Sequence, residues 1–319
     1  MHAATRTVLF LLLLTATGRG QQKPRPNETN SDDMWLAKVK PTAMAQHIIH
    51  QSYQSEAMHR KVGYSLYLPP GYNDKKNAAV RYPVIYHLHG AGGNELRAVA
   101  SAQVLHEAIM AGRTPEIIMV FPNGGRATMY QDSADGRFLA ETTFVKELIP
   151  HIDATCRTIA DRKGRCVEGF SMGGRGAVHL ALKHPDLFCS LFNQSGNVYP
   201  VSNMPKDTPA DAYPFSYLGN DPARLQDNDP YVSLHKNLAA IKSGLRILMA
   251  CGTQDPDHLA TVREFHQELT KSGVDHTYIE LEGLGHNQSQ MIQRLKPVWF
   301  DYHIESLKRA GADLHNFKK

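Results

Sequence analysis

The chain has 319 residues, of which 42% are hydrophobic and 21% are charged, and its formal net charge is +4. This composition excludes an intrinsically disordered protein, and four cysteines in a chain of this length exclude a small disulfide scaffold. The positive charges are dispersed rather than clustered, so no nucleic-acid partner is predicted. What remains is a soluble globular protein with one large domain or two modest ones.

The first twenty residues have the pattern of a secretory signal peptide. Arg6 precedes the apolar run 8–14, and Gly18 and Gly20 stand at the −3 and −1 positions of a cleavage site. The apolar run is far shorter than the about 20 residues that span a membrane. We therefore predict a secreted or periplasmic protein without a stable membrane span, and a polar tether at 21–46.

An exported protein meets an oxidising environment, in which cysteines are able to pair. The four cysteines allow three pairings, among which the sequence does not choose: Cys156, Cys166, Cys189 and Cys251. Three of them lie in apolar runs, where buried free thiols are the simplest expectation. No spacing of Cys and His residues indicates a metal, and no cofactor is predicted.

From residue 47 onwards, strand-like and helix-like segments alternate. The strand-like runs are 47–50, 62–68, 84–88, 117–121, 165–170, 188–192, 245–251 and 277–281. The segments with helical periodicity are 96–111, 142–156, 173–184 and 259–272. Runs that are apolar on both faces are typical of central parallel strands, so we predict an α/β fold with a mostly parallel sheet and helices on both faces.

One long segment departs from this alternation. Residues 196–237 are rich in Pro, Asp, Asn and Tyr, and they are too many for an ordinary loop. We predict that they form an insertion that acts as a lid or faces the substrate. No break in composition separates two domains, so residues 47–319 are predicted to be a single domain that contains this insertion.

A Gly-x-Ser-x-Gly motif stands between the strand-like run 165–170 and the helix-like run 173–184, with Ser171 at its centre. In a sharp turn from strand to helix, glycines on both sides let the two elements pass closely, and the strained serine points outward. The motif and its context therefore predict that Ser171 is a nucleophile.

A serine becomes an effective nucleophile only when a base takes its proton and a carboxylate orients that base. In folds with this turn, the acid and then the histidine follow the serine along the chain. Asp255 comes directly after one strand-like run and His286 after the last one, where the carboxyl ends of parallel strands gather. We predict Asp255 as the acid and His286 as the base, with Asp257 as a rival for the acid.

The oxyanion of an acyl-transfer intermediate needs backbone N–H donors. Met172, the residue after the nucleophile, supplies one donor, and the glycine-rich loop 89–93 after an earlier strand supplies the other. Within that loop we predict Ala91, with Gly92 as the second choice. His87 and His89 share one strand face, but no third ligand with suitable spacing follows them, so a metal is not predicted there.

Four segments, in this order, resemble those of one enzyme family: 67–72, 87–93, 147–153 and 169–174. From about residue 47 to 308, the chain resembles the esterase D branch of the α/β-hydrolases, and in particular carbohydrate esterase family 1. The resemblance implies an α/β-hydrolase fold and a secreted esterase of the feruloyl or acetyl-xylan type. The same branch contains S-formylglutathione hydrolases, mycolyltransferases and polyhydroxyalkanoate depolymerases.

The sequence thus predicts an exported serine esterase with a Ser-His-Asp triad, acting on feruloyl or acetyl esters of plant polysaccharide. The alternatives are an acyltransferase or a depolymerase of the same fold, and a non-catalytic carbohydrate-binding protein that merely retains it. His89, Tyr130 and Trp299 are predicted to contact the substrate, since aromatic side chains near such a site can line an acyl pocket.

Overall fold

The protein is described from a computed structural model, which covers residues 34–38, 47–202, 214–296 and 298–315. The predicted signal peptide at 1–20 lies outside these residues, and so does the predicted tether apart from 34–38. No helix within the described residues is both long enough and apolar enough to cross a membrane.

Eight strands form one sheet in the order β1-β2-β4-β3-β5-β6-β7-β8. The strands are β1 (Ile48–Ser55), β2 (Arg60–Tyr67), β3 (Val84–Leu88), β4 (Ile118–Pro122), β5 (Arg165–Phe170), β6 (Ser190–Gln194), β7 (Arg246–Gly252) and β8 (His276–Leu281). Strand β2 runs antiparallel to both of its neighbours, and all the other pairs are parallel. Each of the eight predicted runs overlaps a strand, which confirms the mostly parallel sheet.

Eleven α-helices lie in the described part of the chain. They are α1 (Ala100–Met110), α2 (Ala140–Thr142), α3 (Ile149–Thr155), α4 (Met172–Lys183), α5 (Phe215–Leu218), α6 (Pro222–Asp227), α7 (Pro230–Lys236), α8 (Leu238–Lys242), α9 (Pro256–Lys271), α10 (Gln288–Leu295) and α11 (Trp299–Arg309). A π-helical stretch, Thr143–Leu148, joins α2 to α3. The four predicted helical segments correspond to α1, the stretch from α2 to α3, α4 and α9.

The two faces of the sheet carry separate buried clusters. Helices α3, α4, α7 and α9 contribute to one cluster, and α1, α10 and α11 contribute to the other. Along β5, Cys166 belongs to one cluster and Val167 to the other, and Leu248 and Met249 of β7 divide in the same way. Because successive side chains of a strand point to opposite faces, a sheet covered on both sides requires such continuously apolar strands. The predicted α/β-hydrolase arrangement of sheet and helices is therefore confirmed.

The described parts of the predicted insertion contain helices α5, α6 and α7, while 203–213 lie outside the described residues. Asp221 caps α6 by accepting from Ala223 N–H, and Asp229 caps α7 by accepting from Tyr231 and Val232 N–H. Each helix has proline at one of its first positions, where no N–H partner is needed. The insertion is thus partly helical, and its action as a lid stays a prediction.

All four cysteines are free thiols, and Cys166, Cys189 and Cys251 are buried while Cys156 is partly exposed. The simplest expectation for three of them, buried free thiols in strands, therefore holds in this structure. Burial raises the pKa of the Cys251 thiol to about 11, which keeps it protonated at neutral pH.

Candidate active site

The serine of the Gly-x-Ser-x-Gly motif occupies the turn between β5 and α4. Ser171 has φ 57° and ψ −120°, a backbone region that residues other than glycine rarely adopt. A side chain at Gly173 would overlap the Leu88 carbonyl, and one at Gly169 would overlap Gly173. The close passage of strand and helix therefore requires these glycines, and the strained turn holds the Ser171 hydroxyl at the carboxyl edge of the sheet.

The structure brings Ser171, His286 and Asp255 together in one line of hydrogen bonds. His286 Nε2 lies 2.9 Å from Ser171 Oγ, and His286 Nδ1 lies 2.6 Å from Asp255 Oδ2. Since a carboxylate only accepts, Nδ1 carries the proton, and Nε2 is then free to accept the Ser171 hydroxyl. These three residues follow β5, β7 and β8, which are parallel strands of one sheet, so their carboxyl ends lie at the same edge and bring the residues together.

Asp255 is 4% exposed, whereas the His286 side chain is 34% exposed. Burial acts to raise the pKa of Asp255, but hydrogen bonds from His286 and His258 outweigh it and lower the pKa. The acid is therefore ionised under ordinary conditions. Asp257, the rival acid, is exposed on the first turn of α9, and the structure does not bring it to His286.

His258 is part of this cluster and does not figure in the sequence analysis. Its Nδ1 lies 2.7 Å from Asp255 Oδ1, and its ring stacks on that of His286 with centroids 4.2 Å apart and planes 13° apart. Both oxygens of the Asp255 carboxylate thus accept from an imidazole. The spacing of an acid at a helix N-cap and a histidine three residues later could have indicated this contact.

These three side chains are also the one group of potential metal ligands within the described residues. Their ligand atoms all lie within 4.8 Å of one another. In this arrangement, however, the Nδ1 protons of both imidazoles already satisfy the carboxylate, and a metal would have to displace them. The geometry is that of a hydrogen-bonded cluster around one carboxylate.

The glycine-rich loop after β3 lies directly beside the nucleophile. A Cβ added to Gly90 would stand 3.5 Å from Ser171 Cβ, which shows how closely the loop backbone approaches. Gly92 donates its N–H to the Arg126 carbonyl at 2.7 Å, so it is not available to an oxyanion. The hydrogen bonds of the described residues leave the N–H groups of Ala91 and Met172 without a protein acceptor.

His89 and Tyr130 lie beneath this loop rather than in an open pocket. His89 is 2% exposed, and its ring joins two backbone groups, accepting from Gly124 N–H at 3.1 Å and donating to the Gly90 carbonyl at 2.9 Å. Burial lowers the pKa of His89 to about 4, so the ring is neutral. The buried Tyr130 hydroxyl accepts from His89 N–H at 2.9 Å. The sequence predicted that His89 and Tyr130 contact the substrate. In the structure both are buried, and their hydrogen bonds hold the glycine-rich loop in place.

Trp299, the third residue predicted to contact the substrate, is buried on α11. Its indole N–H donates to Glu168, on the face of the sheet opposite to the α4 face. The structure therefore places Trp299 in the core and not beside the Ser171 hydroxyl. Aromatic residue type alone does not separate core residues from pocket residues, and this prediction is wrong for that reason.

Under the nucleophile turn lies a fully buried polar network centred on Glu168 of β5. Glu168 accepts from His87 Nδ1 at 2.5 Å and from His303 Nε2 at 3.0 Å, in addition to Trp299. Burial acts to raise the pKa of Glu168, but attraction to His87 and hydrogen bonds from both imidazoles lower it to about 2. His87 Nε2 contacts the side-chain amide of Gln288 at 3.2 Å, which links the network to the segment just after His286. His87 and His89 thus serve different partners and do not share a ligand.

The arrangement is that of an α/β-hydrolase. The serine lies on a strand–turn–helix, the acid and the histidine follow later strands, and the strands have the order given above. The Esterase family, described as "Putative esterase", matches residues 55–297, and the chain belongs to this family. An esterase of Mycobacterium tuberculosis is 28% identical over 284 residues, which are 80% of this chain and 59% of that protein. An endo-1,4-beta-xylanase/feruloyl esterase of Xylanibacter ruminicola is 29% identical over 199 residues, which are 60% of this chain and 26% of that protein.

Among solved structures, a ferulic acid esterase is similar with a TM-score of 0.66 and 24% identity, over 82% of this chain and 98% of that one. An S-formylglutathione hydrolase from Agrobacterium tumefaciens is similar with a TM-score of 0.65 and 20% identity, over 83% of this chain and 95% of that one. These likenesses support the fold. The chain spans about 59% of the length of the first curated relatives that it matches.

Proposed function

We propose that the protein is a serine hydrolase that cleaves carboxylic esters through a covalent acyl-enzyme. The observation that carries this proposal is the line of hydrogen bonds from Asp255 through His286 to Ser171, at 2.6 Å and 2.9 Å. Two N–H groups without protein acceptors, those of Ala91 and Met172, belong to segments beside the same serine. Nucleophile, base, orienting acid and oxyanion donors are the four parts that acyl transfer requires.

In the proposed reaction, Ser171 Oγ attacks the ester carbonyl while His286 Nε2 takes the hydroxyl proton. The ionised Asp255 carboxylate stabilises the imidazolium that forms and keeps the proton of Nδ1 in place. Ala91 and Met172 donate their N–H groups to the oxyanion. As the intermediate collapses, His286 gives its proton to the leaving alcohol. His286 then activates a water molecule, which releases the acid and restores Ser171.

We propose feruloyl or acetyl esters of plant polysaccharide as the substrates. Two similar proteins carry a feruloyl or ferulic acid esterase in their names, and the export pattern at 1–20 supports action outside the cell. Ser171 is partly exposed and the His286 side chain is 34% exposed, so water reaches the base. The same opening would admit an acceptor alcohol, so an added acceptor has to distinguish hydrolysis from transfer.

The test compares methyl ferulate, acetylated xylan and p-nitrophenyl acetate as substrates for the wild type and for Ser171→Ala. We expect the wild type to release the acid from at least one of them, and Ser171→Ala to lower kcat by at least about 10⁴-fold. Equal turnover by both proteins would refute the proposal. Added xylose or glycerol separates hydrolysis from transfer, because an acyltransferase would form the new ester in preference to the free acid.

Export is tested on the full chain. When the protein is expressed with its own N-terminus in a secreting host, we expect the protein recovered from the medium to begin at Gln21. Retention of residues 1–20 on the mature protein would contradict the proposed cleavage.

A further inference from the structure

The carboxylate of Asp255 is shared by two histidines, one of which the proposed reaction does not use. His258 Nδ1 lies 2.7 Å from Oδ1, and His286 Nδ1 lies 2.6 Å from Oδ2. Since the carboxylate accepts only, both imidazoles donate their Nδ1 protons to it. Asp255 is thereby fixed from both sides, and its negative charge is divided between two donors.

His258 also contacts the base directly. The two rings are 4.2 Å apart between centroids and nearly parallel, at 13°. Phe170 contacts the His286 ring as well, with centroids 4.6 Å apart. His258 is the third residue of α9, which begins directly after Asp255, so the same turn of helix sets the positions of the acid and of the second histidine. A histidine that only capped the helix would not need to stack on the base.

The charge that the two imidazoles face together is that of Asp255. Each ring donates its Nδ1–H to one oxygen of the carboxylate, and these hydrogen bonds lower the pKa of Asp255. Removing His258 therefore leaves His286 as the one imidazole of the described residues that donates to Asp255.

We infer that His258 is a positioning residue that holds the Asp255 carboxylate and the His286 ring in the arrangement that the base needs. The inference rests on the proposed function, because it concerns the base of that reaction. In the wild type, His258 shares the Asp255 carboxylate with His286 and stacks on the His286 ring. Both contacts are lost together when the imidazole is removed.

The test measures kcat and KM across pH for the wild type, His258→Phe and His258→Gln. Phenylalanine keeps an aromatic ring but has neither donor nor charge, whereas glutamine keeps an amide donor without ring or charge. For His258→Phe we expect kcat to fall about tenfold with less than a twofold change in KM. We expect the acid limb of kcat/KM to move to higher pH, because the Asp255 carboxylate then presents its whole charge to His286. His258→Gln should show a smaller rise, because its amide still donates to Asp255.

The matched control is His266→Phe, the same substitution on the same helix. His266 contacts the His276 ring nitrogen at 2.7 Å and Tyr278, away from the Ser171 cluster. We expect it to leave the pH profile unchanged. Loss of kcat in His258→Phe without movement of the acid limb, or equal movement in His266→Phe, would overturn the inference.

Unfolding curves of each variant show whether a loss of activity reflects loss of fold. The outcomes also separate the two proposals. If wild-type hydrolysis does not depend on Ser171, the proposed function fails. If it depends on Ser171 but the acid limb stays in place in both His258 variants, only the role of His258 fails.

Discussion

The replacement Glu168→Gln tests how the buried network beneath the nucleophile turn contributes to stability. Glu168 is fully buried and accepts from His87, His303 and Trp299, and glutamine keeps the shape while losing the charge. Removing one partner from a buried charged network leaves the donors poorly satisfied and costs about 3–5 kcal/mol. We therefore expect the free energy of unfolding at pH 7 to fall by about this amount.

The loss of stability in Glu168→Gln depends on pH, and the pKa of Glu168 determines the direction of this dependence. The pKa of Glu168 falls from 4.5 to about 2 on folding, so its ionisation contributes stability that is fully present above about pH 5. This contribution is about 3 kcal/mol, at about 1.4 kcal/mol for each pKa unit, and it is lost as the pH falls towards 2. The difference between the wild type and Glu168→Gln should accordingly shrink as the solution is made acidic.

The assay is equilibrium unfolding in guanidinium chloride at pH 7 and again at pH 3, with the slope of each curve compared between the two proteins. We expect a large loss of stability in the variant at pH 7, and a loss smaller by about 2 kcal/mol at pH 3. A loss below about 1 kcal/mol at pH 7, or a loss of equal size at both pH values, would refute the reasoning.

Two further substitutions test the loop and the acid. In Tyr130→Phe, the buried His89 N–H loses its acceptor, and we expect the free energy of unfolding to fall by about 1–3 kcal/mol. We also expect kcat to fall, because His89 holds the loop that carries an oxyanion donor. Denaturant curves and steady-state kinetics check this, and unchanged values of both would contradict it. In Asp255→Asn, the orienting carboxylate is lost and kcat should fall about 10⁴-fold, whereas Asp257→Asn should change it less than twofold. The same kinetics compare the two, and a larger loss in Asp257→Asn would show that the acid is wrongly assigned.

Much of the fold could be predicted because central parallel strands are apolar on both faces. The runs 84–88 and 165–170 agree with β3 and β5 residue for residue. Strand β6 begins two residues later than predicted, at Ser190, because Phe188 and Cys189 are as apolar as the strand that follows them. Apolar character indicates burial but not where a strand begins. The first residue of β6 is set by its pairing with β5, in which Ser190 is the partner of Cys166.

The helices α10 and α11 were not predicted, although their sequences carry a helical pattern. Both follow the last strand, and their buried residues, Met291 and Ile304 among them, recur at helical spacing. The Asp-Pro pairs at the starts of α6 and α7 are likewise N-terminal helix signals within a segment that otherwise reads as a loop.

For the candidate site, order along the chain singled out Ser171, Asp255 and His286, because parallel strands bring their carboxyl ends to one edge. The same order says nothing about contacts that depend on side-chain direction. Glu168 was therefore missed, since its partner His87 lies on another strand. The contact of His258 with the His286 ring was missed for the same reason, although its spacing from Asp255 indicates the nearer contact. Trp299 was misplaced because a buried indole and a pocket indole look alike in a sequence.

The central claim is that Ser171, activated by His286, is the nucleophile. The most direct test is labelling with a fluorophosphonate, followed by mass spectrometry of the labelled peptide and measurement of the remaining esterase activity. We predict one label per chain on Ser171, loss of hydrolysis in proportion to labelling, and a much slower reaction in His286→Ala. A label on another residue, or hydrolysis that persists in fully labelled protein, would contradict the account.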